Sequence, residues 1–297
     1  MRALVIGAGG QVGGALAREL GELGHQVVAT CWRDPVEGAA RLDVTDTAAV
    51  ERFTRDAVPD WIFCPAGLTA VDYCEDHVEE AHRANVDGPL AAAMAGARLG
   101  AGFTYFSSEY VFDGEAGPYS EDDPPRPLSV YGRTKLEGEG AVLGETPRSQ
   151  VVRTTVVYGP ERQEKNFVYQ LLRTLRAGET MRVPNDQVSS PTYNVDLARS
   201  CVELVERGAT GLFHLAGSEV MDRYAFALIA CRVFGLDPSR VIAVTTASFN
   251  QRARRPLKGG LLIDRARALL STELRPPEAG LRAMREALAV APAERVN

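Results

Sequence analysis

Tyr131 and Lys135 stand four residues apart in a segment that reads as the start of a helix. Positions i and i+4 share a helix face, so a phenol and an ammonium project into one space. That pair suits carbonyl reduction, in which a proton reaches oxygen as hydride reaches carbon. A free tyrosine, with a pKa near 10, transfers protons sluggishly at neutral pH, and a neighbouring ammonium favours its phenolate. Ser107 and Ser108 end an apolar strand-like run. A hydroxyl there, at the carboxyl edge where open parallel sheets bind ligands, could polarise a carbonyl. Tyr and Lys at this spacing also occur as an ordinary solvated pair. Here lysine is scarce, three of 33 basic residues, and neither Lys165 nor Lys258 has a tyrosine four positions earlier.

A second constellation lies near the N-terminus. Gly7, Gly10 and Gly13 follow an apolar run, Ala3 to Ile6, and precede a helical spacing of Val12, Leu16, Leu20 and Leu23. Glycines at such a turn let the backbone approach a pyrophosphate, which the N–H groups and partial positive charge of the helix N-terminus attract. A ligand-free glycine turn is the alternative. The end of the next strand selects between dinucleotides: an acid there would bond the ribose 2′-OH of NAD, whereas this chain has Arg33, suited to the 2′-phosphate of NADPH. Asp34 follows at once, so NADH stays open. Asp43 and Val44 could flank the adenine.

The elements that must position these residues alternate through the first half. Strand-like runs at Ala3 to Ile6, Gln26 to Thr30, Trp61 to Cys64, Phe103 to Ser107 and Gln150 to Val157 are separated by helical stretches. One helix opens at Asp46, a suitable N-cap, and Pro59 ends it; another runs from about Val78 to Leu99, with a break expected at Gly88-Pro89; a third covers Tyr131 to Leu143. This order predicts an α/β fold with a Rossmann-type doubly wound parallel sheet. After Gly159 the alternation weakens to helices at 165–177, 222–234 and 279–290, with one strand-like piece, Leu212 to Leu215, returning to the main sheet. The expected division is a dinucleotide-binding domain at 1–160, also receiving 190–215, and a smaller α+β substrate domain formed mainly by 161–297.

Composition excludes other classes. A chain of 297 residues with net charge −6 and 45% hydrophobic residues is too apolar for disorder and carries no basic patterning for nucleic acid or membrane surfaces. No window approaches 18 consecutive apolar residues, so no membrane span is expected. The N-terminal apolar stretch is interrupted by glycines and reads as a strand rather than a signal peptide. Five widely spaced cysteines without a Cys-x-x-Cys pair fit reduced thiols in a cytoplasm, and four scattered histidines offer no metal cluster.

The chain resembles the dTDP-4-dehydrorhamnose reductase family of extended short-chain dehydrogenase/reductases. The resemblance is carried by Gly7 to Gly13, Leu42 to Asp46, Thr69 to Asp72, Ser107 to Gly114, Pro127 to Gly138, Arg153 to Thr155, Asn166-Phe167, Asp186-Gln187 with Pro191-Thr192, and Arg255-Pro256. It implies NADPH or NADH as cofactor and a nucleotide-linked 4-keto-6-deoxyhexose as substrate. It assigns Tyr131 as proton donor, Lys135 as its partner and Ser108 as the carbonyl-polarising hydroxyl. Gly10, Gln11 and Val12, Asp43 and Val44, and Ala66, Gly67 and Leu68 would line the cofactor, with Asn85 supporting the site. Glu109, Tyr110, Val156, Asn166, Gln187 and Arg255 are expected on the substrate side, with Arg255 and nearby Lys258 suited to a diphosphate. Departures are Cys64-Pro65-Ala66 in place of Asn-Ala-Ala, Val156 in place of a tryptophan, and Lys258-Gly259 in place of Asn-Ser. Ala15 replaces the glutamate that some members use for a magnesium-bridged dimer, so a homodimer here is expected to lack that bridge. Two other readings of the same pattern are a non-catalytic NADP-binding subunit like the methionine adenosyltransferase β subunit, and a sugar-nucleotide epimerase or dehydratase. Against a dehydratase, the fourth strand ends in Ser-Ser-Glu rather than Thr-Asp-Glu.

Overall fold

The computed structural model describes residues 1–290. The first half runs β1 (Arg2–Ile6), α1 (Gln11–Glu22), β2 (Gln26–Cys31), β3 (Ala40–Arg41), α2 (Thr47–Ala57) and β4 (Trp61–Cys64). Short helices α3 (Val71–Asp76) and α4 (Val78–His82) follow, then a π turn over Arg83–Asp87, α5 (Gly88–Ala97), β5 (Gly102–Ser108), α6 (Val130–Glu145) and β6 (Ser149–Thr154). The second half holds β7 (Val157–Tyr158), α7 (Phe167–Arg176), β8 (Met181–Pro184), β9 (Val188–Ser189), β10 (Thr192–Tyr193), α8 (Asn194–Glu206) and β11 (Gly211–His214). It closes with β12 (Met221–Asp222), α9 (Arg223–Phe234), β13 (Val241–Val244), α10 (Asp264–Leu269) and α11 (Pro277–Val290).

Seven strands form one parallel sheet in the order β11-β6-β5-β4-β1-β2-β3. The chain starts in the middle, works outward to β3, then returns beside β1. That reversal leaves a crevice at the carboxyl ends of β1 and β4, the ligand position of this fold. The central strands are buried along their whole length, as a sheet covered by helices on both faces requires. Leu4, Ile62 and Phe103 pack toward one helical layer, and Val5, Phe63 and Val152 toward the other. A separate apolar core gathers Val168, Leu171, Phe226, Ala230, Leu281 and Met284 from α7, α9 and α11.

Several local expectations are corrected. Gly88-Pro89 does not break its helix: α4, the π turn and α5 run on continuously. Pro89 offers no N–H to the Asn85 carbonyl four residues back, and that carbonyl accepts instead from the Tyr105 hydroxyl at 2.7 Å. The strand foreseen to Val157 ends at Thr154, and Val157–Tyr158 pairs with β10 in a separate two-stranded sheet. Val156 between them has φ 39°, which no regular strand accommodates. Helix α8 was not foreseen. Its apolar positions Leu197, Cys201 and Leu204 are buried at helical spacing, and α8 packs on α1. The pairing of β8 with β13 joins segments more than fifty residues apart, which periodicity cannot reveal.

Candidate active site

The turn from β1 into α1 forms one wall of the crevice. Gly7 has φ 103°, and a Cβ on Gly13 would lie 2.1 Å from the Gly7 carbonyl oxygen, so the turn closes only with glycine. Helix α1 begins at Gly10 with no side-chain cap, leaving its first turn open to the crevice. The crevice has a volume of about 660 Å³, within the range of cofactor sites. Gly7, Gly10, Gln11, Val12 and Gly13 line it from the glycine turn, and Arg33, Asp43 and Val44 from the ends of β2 and β3. Ala66, Gly67 and Leu68 line it from the loop after β4, and Ser108, Tyr131, Lys135, Val156 and Asn166 from the far side. The residues therefore fit a dinucleotide: an uncapped helix start, a glycine-walled floor and a cation at the β2 end.

Ser108, Tyr131 and Lys135 come together because β5 ends where α6 begins to pass beneath it. Ser129 caps α6, accepting from the Gly132 N–H at 3.2 Å, which fixes the first turn and hence Tyr131. All three side chains are buried. Burial pushes the Tyr131 pKa well above its ordinary value, and the nearby Ser108 hydroxyl offsets this in part. Lys135 donates to the Phe106 carbonyl at 2.9 Å and lies 5.0 Å from the Tyr105 ring centre. Burial lowers its pKa from 10.5 to about 8, against the pull of the Cys64, Glu139 and Cys74 side chains. Its ammonium is thus anchored by a backbone carbonyl on the same wall of the crevice as Tyr131.

Asn85 lies behind the wall. Fully buried in the π turn, it accepts from the Leu68 N–H at 2.9 Å and donates to the Leu68 carbonyl and the Thr134 hydroxyl. It thereby ties the cofactor loop to the helix carrying Tyr131 and Lys135. A Cβ on Gly67 would reach 2.7 Å from Asn85 Oδ1 and 3.1 Å from Lys135 Nζ, so this joint is as tight as the glycine turn.

Glu109, Tyr110, Gln187 and Arg255 do not line the crevice; they form an adjoining cluster. The Tyr110 ring meets Tyr131 edge-on at 5.5 Å, and Arg255 lies 5.9 Å above the Tyr110 ring while pairing with Asp72 at 3.0 Å. Glu109 accepts from the Gly260 N–H at 2.9 Å, and burial raises its pKa against the pull of the nearby Thr155 hydroxyl, the Gly260 N–H and the charge of Arg223. Gln187 accepts through its carbonyl from the Arg223 N–H at 3.0 Å. Arg223 was missed in the sequence, where 30 arginines hide any one of them. Its Nε and the NH1 of Arg255 are buried without hydrogen-bond partners. Also missed were Trp32, stacked under Arg41 at 4.4 Å, and the crossing segment with Gln163 and Lys165.

A doubly wound sheet, a glycine turn at its switch point and a Ser-Tyr-Lys set on the opposite wall define a dinucleotide-dependent oxidoreductase of the short-chain dehydrogenase/reductase class. Within that class, residues 1–290 match the model of the RmlD substrate binding domain family, and the chain belongs to that family. It is 37% identical over 261 residues to a dTDP-4-dehydrorhamnose reductase of Mycobacterium tuberculosis, covering 86% of this chain and 82% of the relative. Methionine adenosyltransferase 2 subunit beta of Bos taurus is 33% identical over 251 residues, 82% of this chain and 75% of that one. The crystal structure of dTDP-4-dehydrorhamnose reductase from Bacillus anthracis in complex with NADP superposes with a TM-score of 0.88 at 27% identity, covering 96% and 99% of the two chains.

Proposed function

We propose that this protein reduces the C4 ketone of a nucleotide-linked 4-keto-6-deoxyhexose at the expense of NADPH. The observation that carries the reading is the joint placement of Ser108, Tyr131 and Lys135 on one wall of a crevice whose other wall is the glycine turn. The relatives named as reductases and the NADP complex of one of them support it. When bound, the nicotinamide supplies the hydride. Ser108 offers its hydroxyl to the substrate carbonyl and Tyr131 delivers the proton, which burial keeps on the phenol until oxygen takes up negative charge. Lys135 spends one of its three donors on Phe106 and has two left for a ribose hydroxyl and the tyrosine. Arg223 and Arg255, with unpartnered nitrogens, are placed for a diphosphate.

In this reading residues 1–160 with 190–215 hold the cofactor, and 161–297 mainly hold the sugar nucleotide. The substrate requires neither nucleic acid nor a membrane, and among the described residues no helix is long and apolar enough to cross one. Five free, buried cysteines suit a cytoplasmic setting, and any homodimer forms without a magnesium bridge at Ala15.

NADPH oxidation against dTDP-, UDP- and GDP-linked 4-keto-6-deoxy sugars tests the proposal. Turnover is expected on at least one, with a loss of about 10²–10⁴-fold in Tyr131→Phe and nearly unchanged cofactor affinity. Absence of turnover together with tight NADP binding would transfer the protein to the regulatory reading that its similarity to the adenosyltransferase β subunit also supports.

A further inference from the structure

The segment between β7 and α7 crosses the mouth of the crevice and fastens to its opposite wall. Gln163 donates through Nε2 to the Gly9 carbonyl at 2.8 Å and to Asp34 Oδ2 at 2.8 Å. Arg162 donates to the Pro35 carbonyl, and Lys165 Nζ stands 4.0 Å from the same Asp34 oxygen. Asp34 follows Arg33 at the end of β2, the corner where this fold presents the adenosine ribose. Arg33 is 75% exposed and has only a loose contact, 4.0 Å, with Glu80. Lys165 and Arg33 thus reach one corner of the crevice from opposite sides.

The backbone of Lys165 is fixed, while its side chain is 69% exposed. Its N–H donates to Glu161 Oε1 at 3.0 Å, and its carbonyl accepts from Gln170 at 2.6 Å. The next residue, Asn166, caps α7 through the Val168 N–H at 3.1 Å and donates to the Gly159 carbonyl at 3.0 Å. From that base the ammonium reaches Asp34 and the space beside it. Asp34 is the obstacle to the NADPH preference, because a carboxylate next to Arg33 repels a phosphate of nearly two charges.

We propose that Lys165 is a specificity-determining residue for the cofactor: it offsets Asp34 and, with Arg33, supplies a second cation for the 2′-phosphate of NADPH. This rests on the NADPH reading above and deepens it, by drawing one phosphate ligand from the far side of the crevice. Cofactor choice then depends on the crossing segment as well as on the β2 end.

Dissociation constants for NADPH and NADH, followed through the fluorescence of Trp32 in the crevice wall, test this directly. Lys165→Met should weaken NADPH by roughly tenfold, the value of one charge-assisted contact, and NADH by less than about twofold. Lys165→Arg should retain most of the NADPH affinity. Adding Asp34→Asn to Lys165→Met should recover part of the NADPH loss. Equal weakening of both cofactors would assign Lys165 to the shared pyrophosphate or to loop order and overturn the proposal, as would unchanged affinities. No recovery in the double variant would overturn the offsetting of Asp34. The assay needs no sugar: a protein that discriminates in this way yet reduces no ketosugar defeats the reductase reading and keeps this one. A reductase whose Lys165→Met variant does not discriminate does the opposite.

Discussion

The fold alters the chemistry of Lys135, and the change is measurable apart from catalysis. Burial lowers its pKa from 10.5 to about 8. Between those two pH values the unfolded chain keeps the proton while the folded chain releases it, so stability rises with pH across the interval and the full penalty applies below about 8. Lys135→Met carries no such penalty. In denaturant titrations its stability relative to the natural protein should be greater at pH 7.5 than at pH 10.5, by about 3 kcal/mol at most. A pH-independent difference would mean that the ammonium is not desolvated. The identity of this lysine was legible because lysine is scarce here. Its anchor was not, because the Phe106 carbonyl that holds Nζ belongs to another element. The arginines give the converse lesson: Arg223 carries an unpartnered buried Nε, yet nothing in its sequence surroundings separates it from 29 others.

Elements place these residues through a few close contacts, and Gly138 in α6 is one. A Cβ there would lie 2.4 Å from the Tyr105 hydroxyl and 2.5 Å from the Asn85 carbonyl, two groups that bond each other at 2.7 Å. Alanine ordinarily favours a helix over glycine by up to about 1 kcal/mol. At Gly138 the clash should win, costing about 1–3 kcal/mol in unfolding free energy and shifting Tyr131 and Lys135 enough to slow turnover. Gly140 and Gly144 in the same helix have nothing within 4 Å of a built Cβ. Alanine at either should stabilise, and a loss there matching that at Gly138 would refute the packing argument. The sequence revealed α6 and the buried strands because period and burial coincide in them. It did not reveal the π turn, since Gly88-Pro89 reads as a break unless a hydroxyl from another element is known to take the carbonyl that the proline leaves free. Nor did it reveal the crossing segment, whose few polar contacts to Gly9 and Asp34 span more than a hundred residues.

On the scale of the whole molecule, the crevice and the arginine cluster divide the work between two apolar cores. The main sheet offers the glycine turn, Ser108 and, through α6, Tyr131 and Lys135. Helix α9 brings Arg223 from the second core, and Arg255 is brought against Tyr110 by its pairing with Asp72. The two guanidinium groups are close enough that Arg255 lowers the pKa of Arg223, although burial does more and Tyr110 and Glu109 act in the other direction. Under the proposed function, a sugar-nucleotide diphosphate would meet the nitrogens of both that Asp72 and Glu109 leave unpartnered. Neither arginine borders the cofactor crevice, so the two ligands should separate in kinetics. Arg223→Met and Arg255→Met should each raise KM for the sugar nucleotide by about 10–100-fold, the value of a charge-assisted bond, with NADPH affinity unchanged. The double variant should lose less than the product of the single losses, because removing one cation relieves the repulsion on the other. Parallel losses in cofactor affinity would show instead that the arginines hold the two cores in register, and steady-state kinetics beside direct NADPH titration of the same variants decides between these outcomes.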